Sequence, residues 1–236
     1  MHSHHGIRQY FEEGGNPNEV HNGVALFTTM MEMYTRTPRF GECVRAFVQA
    51  GLQFSNEPLL CVLLDDAEKL GELISKEPGL VSGVHTGVKN TYTPLTGGTL
   101  LHYCAEYNCI ECARLLVLHG AEINARAALD EYGFGGHTPI FHSVNQNNNN
   151  SKDMLLFLMD NSADLTLTVK GIIWGQGYEW ETWIPAVNPI SYAMMGLLPQ
   201  MHRSEQTISE TVSLLVKKAF GIEYIPPNVP CSYLVH

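Results

Sequence analysis

Gly97-Gly98-Thr99-Leu100-Leu101-His102, followed by an apolar helix pattern and then by Gly120-Ala121-Glu122-Ile123-Asn124, is the stretch that decides the fold. A threonine just before an apolar run is a helix N-cap, because its hydroxyl can accept from an orphan N–H of the first turn. A glycine after a helix takes the left-handed conformation that ends it without a Cβ penalty. The stretch therefore predicts one turn–helix–turn–helix unit.

Degraded copies of the unit lie on both sides. Glu42, Cys43, Arg45, Val48 and Gly51 return as Glu111, Cys112, Arg114, Val117 and Gly120, each 69 positions later. That offset is two periods of a repeat of about 33 residues. The unit starts Ala25, Pro58, Leu100, Pro139 and Pro189 are 33, 42, 39 and 50 residues apart, so one spacing is bare and the others carry insertions. Thr138-Pro139-Ile140 and Asn188-Pro189-Ile190 add proline at the first helical position, where its missing N–H costs nothing. Glu57-Pro58-Leu59 keeps the proline with a poorer cap. The second helices are expected to end at Gly51, Pro78, Gly120, Ser162 and Ala219.

These motifs resemble those of ankyrin-repeat proteins, over Thr99 to Asn124 and Gly136 to Asp164 above all. The opening Ile7–Asn18 resembles the second helix and exit loop of a unit with a reduced first helix. The resemblance implies an all-α repeat solenoid forming a single domain. About five units follow a partial one, at roughly 1–21, 22–56, 57–97, 98–135, 136–187 and 188–224, with 225–236 as an extended tail. Each unit buries its apolar face only against its neighbours, so no linker is needed. It further implies a non-catalytic protein-protein interaction module with a concave face made by loop tips and first helices. Tyr103, Tyr107, His142 and Tyr192 would lie on or near that face. Asn124 sits where repeats of this family can be hydroxylated.

Charge narrows the partner. With 14 basic and 24 acidic residues, the net charge of −10 argues against a nucleic-acid surface, which draws its affinity from Lys and Arg on phosphates. An anionic membrane is disfavoured likewise, and a basic protein is the better match. Cys43 and Cys112 hold equivalent buried-type positions, where cysteine acts as a small apolar residue. Cys109-x-x-Cys112 has no second pair to complete a metal site and fits packing better. No secretory signal is visible, and no apolar run approaches the ~18 residues of a membrane span. A cytoplasmic monomer is expected.

Departures from the repeat carry the individuality. Insertions fall within units at Glu32–Phe40, Gln146–Asn150 and Gly196–Thr207, the Gln-Asn run being expected as a solvated, flexible turn. Between units, Ser82–Gly98, Ala125–Gly136 and Thr166–Val187 would form fingers. In the last, Ile172 to Ile184 alternates large and small residues about Gly175 and Gly177, which predicts a β-hairpin. It holds all three tryptophans. Tryptophan and tyrosine dominate interface hot spots, so Trp174, Tyr178, Trp180 and Trp183 are candidate contacts, with Tyr132 and Phe134 on the second finger and Tyr92 on the first. Self-packing of the hairpin is the alternative, and its two faces can do different things.

Chemistry is poorly supported. There is no P-loop, no dinucleotide-type glycine motif between strand and helix, and no H-E-x-x-H. His102 belongs to the repeat's start motif, where its ring can bond turn backbone. His137 and His142 are five apart, off the spacing that aims two rings at one metal. No catalytic residue, metal or cofactor is expected. Two binding roles remain: a scaffold holding a folded partner or peptide, and a dedicated immunity-type inhibitor whose acidity would steer it to a basic enzyme.

Overall fold

The computed structural model describes residues 3–33, 37–86, 88–89, 92–179, 181–195 and 203–226. Trp180, residues 196–202 of the last insertion and residues 227–236 of the tail lie outside the described residues.

Helices come in pairs, with short ribbons between the pairs. The chain opens with α1 (His4–Glu12), then the ribbon β1 (Val20–His21) and β2 (Val24–Ala25). The pairs α2 (Leu26–Met31) with α3 (Phe40–Gln49), and α4 (Glu57–Leu64) with α5 (Ala67–Lys76), follow. A 3-10 turn, Pro78–Val81, leads to β3 (Val84–His85) and β4 (Gly98–Thr99), and then to α6 (Leu100–Tyr107) with α7 (Ile110–Leu118). The next pair is a 3-10 turn, Pro139–His142, with α8 (Lys152–Asp160). Last come the ribbon β5 (Val169–Trp174) and β6 (Thr182–Val187), then α9 (Pro189–Ala193) and α10 (Glu205–Phe220).

First elements stack in a row: α4 packs on α6, α6 on the 139–142 turn, and that turn on α9. Behind them α5 packs on α7, and α1 packs on α3. Every residue of α6 is buried, since neighbours cover it on both sides. Full burial of a leucine such as Leu100 or Leu101 is worth about 1.5–3 kcal/mol.

Local chemistry explains most helix ends. Asn188 Oδ1 accepts from Ser191 N at 2.9 Å, and the Ser191 hydroxyl accepts from Asn188 N at 3.0 Å, a reciprocal cap. Asn56, rather than the expected Glu57, caps α4 by accepting from Leu59 N at 3.1 Å. Gly51, Gly120 and Ser162 take positive φ at the ends of second helices. The last helix departs from expectation: Ala219 lies inside α10, which runs on to Phe220 and stops at Gly221 with φ 69°. Pro78 opens a 3-10 turn after α5 rather than closing the helix alone.

Two features of the turns repeat. Between paired helices, Asp65 and Asn108 both adopt the left-handed conformation, at φ 54° and 56°. Short polar side chains tolerate it best. Asp65 also reaches the next unit, accepting from Cys112 N at 2.9 Å and so capping α7 from outside. After second helices, asparagines bridge units. Asn18 accepts from Gln53 N at 2.6 Å and donates to Gly51 O at 3.0 Å. Asn124 likewise accepts from Asp164 N at 2.8 Å and donates to Ser162 O at 3.4 Å.

The fourth pair is the least regular. Its first element is one 3-10 turn rather than an α-helix, and the Thr138 hydroxyl makes no capping bond. Asparagine side chains compete with the backbone for hydrogen bonds, so the run 147–150 cannot prolong it. Nor is Gln146–Asn150 the free solvated turn expected. Gln146 is buried and donates to His142 O at 2.9 Å, while Asn149 donates to Thr207 O at 3.3 Å. The run is a polar bracket between the fourth pair and α10.

Candidate interaction surface

The hairpin forms where alternation places it, three residues longer at each end than Ile172–Ile184. Ile172 pairs with Ile184, Ile173 with Trp183 and Trp174 with Thr182, in antiparallel register. Its tip turns at Gly175 and Gly177, both at positive φ.

Alternation gives its tryptophans different surroundings. Trp174 is buried and packs against Tyr92 of the first finger, ring centroids 5.4 Å apart. Trp183 is 52% exposed. It lies across Gly171, where a Cβ would fall 2.3 Å from its Nε1. Glycine inside a strand often marks such a close approach.

The second finger docks edge-on against this hairpin. Gly135 N donates to Gly171 O at 2.9 Å, and Lys170 Nζ donates to Tyr132 O at 2.7 Å. The Phe134 ring lies 5.4 Å from Trp183 and 6.3 Å from Tyr132. Lys170 Nζ stands 4.8 Å from the Phe134 centroid, a cation on an aromatic face. Asp130 organises the tip by accepting from Tyr132 N at 2.9 Å and Phe134 N at 2.8 Å. The result is a continuous, pre-ordered aromatic patch in which Tyr132 is 65% exposed, and Tyr178, on the hairpin turn, is exposed as well.

The concave-face candidates are interior residues instead. Tyr103 is fully buried, edge-on to His85, and burial pushes its phenol up to about 12. Tyr107 donates to Met31 O at 3.0 Å and stacks on Phe40. Tyr192 bonds Thr93 Oγ1 at 2.9 Å, and burial raises it to about 12 also. His142 is fully buried, 2.8 Å from Glu106 Oε2. Close stacking of first elements closes over these positions, so none offers surface to a partner. Asn124, the modification candidate, has its amide held by the inter-unit bridge.

His102, His137 and His142 form a buried cluster, ring centroids 5.2–6.1 Å apart. His102 Nδ1 accepts from Thr99 N at 3.0 Å, which leaves Nε2 to face His137 O at 3.3 Å. His137 Nε2 donates to Pro94 O at 2.7 Å, tying the first finger down. Desolvation holds His102 well below the usual range and His137 at about 3. Burial likewise pushes the Cys104, Cys109 and Cys112 thiols up, which suits packing rather than nucleophilic chemistry.

Residue patterns had missed Lys170, the Gly135–Gly171 junction and the joining of the two fingers. Gly171 was the available signal, a glycine within a predicted strand. What it approaches lies more than ten residues away in sequence and is not encoded locally.

A family model described as ankyrin repeats matches residues 59–169, in three copies. No curated protein matches the chain. Repeats of this type generally mediate protein-protein interaction. Among the described residues, no helix is long and apolar enough to cross a membrane.

Proposed function

From the ankyrin repeats matched over residues 59–169 we propose that the chain is a non-catalytic protein-binding module. Its contact surface is the tip of the second finger joined to the strands of the third. One observation carries this reading: Tyr132, Phe134 and Trp183 form an ordered aromatic patch held partly open to solvent. Large rings with few rotors give much contact area for little lost entropy. Main-chain bonds between the fingers lower the ordering cost further. The second repeat-based expectation, a contact face along the first helices, is replaced by this finger surface because those side chains are interior.

Cys43, Cys61, Cys104, Cys109 and Cys112 are buried free thiols, which suits a reducing compartment such as the cytoplasm. A monomer is the proposed working form, with the patch left for a different protein.

The test is affinity capture with the full chain and with a Y132A/W183A variant. A partner held by the wild type should be lost by the variant and kept by L118A, which removes an exposed leucine on α7 instead. Equal retention by both variants would overturn the assignment of the surface.

A further inference from the structure

We propose that the aromatic patch takes a cationic segment, an extended peptide stretch bearing arginine or lysine. This deepens the proposed function and rests on its choice of surface.

Three observations converge. The patch already holds a cation, since Lys170 sits 4.8 Å over Phe134 and donates to the Tyr132 carbonyl. A ring quadrupole that stabilises this ammonium offers the same attraction to a guanidinium at the neighbouring Trp183 and Tyr132 faces. Guanidinium stacks especially well, being planar and weakly hydrated.

Apart from Lys170 itself, the charged residues that adjoin Tyr132 in the chain, Asp130 and Glu131, are acidic. Glu131 adjoins Tyr132 in the chain, and Glu179 stands on the turn of the hairpin that carries Trp183; both are exposed, and among the described residues neither has an ion-pair partner. Asp130 and Glu181 are used internally, on the tip of the second finger and on Gly177 N. The free carboxylates are therefore those an incoming cation would meet.

Whole-molecule charge acts in the same direction. At −10, the protein attracts basic segments and repels acidic ones before contact. An acidic or purely apolar occupant would leave Glu131 and Glu179 crowded by like charge or stripped of water. That penalty gives selectivity as well as affinity.

The experiment selects from a random 12-residue peptide display library on the full chain. Clones are then bound to wild type, Y132A, W183A and E131Q/E179Q, each first checked for a native circular dichroism spectrum. Enriched clones should carry arginine or lysine, and should bind W183A and Y132A at least tenfold more weakly. They should lose several-fold affinity to E131Q/E179Q and on raising salt. Clones that depend on Trp183 or Tyr132 but carry no excess of basic residues would overturn the cationic partner while the finger surface stands. Clones indifferent to both aromatic variants, or a library that yields none dependent on them, would overturn the surface and the inference together.

Discussion

Two aromatic-rich regions of this protein put the same residue types to opposite uses. At the seam between α6 and the 139–142 turn, Tyr103, Tyr192, Phe141 and three histidines are sealed from water. Where the second and third fingers join, Tyr132, Phe134 and Trp183 meet with tilted rings, partly open to solvent. The seam is covered because α6 has stacked neighbours on both sides, whereas the joined fingers lie outside that row of first elements and leave Tyr132 and Trp183 exposed. Burial in a stacked array thus follows from position in the stack, and side-chain type only decides what a position can be used for.

The contrast predicts where mutations cost stability and where they cost binding. Leu101→Ala in the fully buried first turn of α6 should lose about 2–5 kcal/mol, the cost of a cavity the stack cannot collapse. A urea unfolding midpoint close to that of the wild type would break the picture of α6 as the keystone.

Acid should strike the seam next. Unfolded histidine takes up a proton near pH 6.5. In the fold, His102 resists protonation well below that, and His137 does so until about 3. Protons therefore favour the unfolded chain, so stability is full above about pH 6.5 and falls as the pH drops from there toward 3. The slope is about 1.4 kcal/mol per pH unit for each histidine. Urea midpoints at pH 7.5 and 5 check this, and a flat profile would mean that the cluster is open to water.

Gly171→Ala tests the join between the two regions. A Cβ there would lie 2.3 Å from Trp183 Nε1 and 3.0 Å from Ile184 O, so the ring must leave its seat. Overpacking of this kind costs about 1–3 kcal/mol, and partner capture should drop further than the stability change alone accounts for. The smallest stability effect belongs to Tyr132→Ala, within about 0.5 kcal/mol, as expected for an exposed side chain. A similar melting temperature with lost binding sharpens the division. A large drop in melting temperature would show that Tyr132 works as part of the core.

Much of this architecture was legible in the residues. The offset of 69, the glycine ends and the Asn188-Pro189 cap all place helices where they occur. The hairpin followed from alternation about Gly175 and Gly177, because a period of two is a local property of the backbone. Less legible was anything set by distant neighbours. The Gln-Asn run has a composition that suits solvent, yet α10 and α6 supply it with partners. Nothing near Tyr103 or Tyr192 in sequence separates a concave-face tyrosine from one with the next unit packed over it.

Residue order alone accounts for the repeat, the caps and turns that punctuate it, and the hairpin carrying the tryptophans, since each depends on interactions within a few residues. Tertiary structure alone decided which aromatics face water. It sealed Trp174 under the first finger and left Trp183 beside Phe134 because finger-to-finger pairing joins residues remote in the chain. No local pattern records that juxtaposition, and the proposed binding surface consists of it.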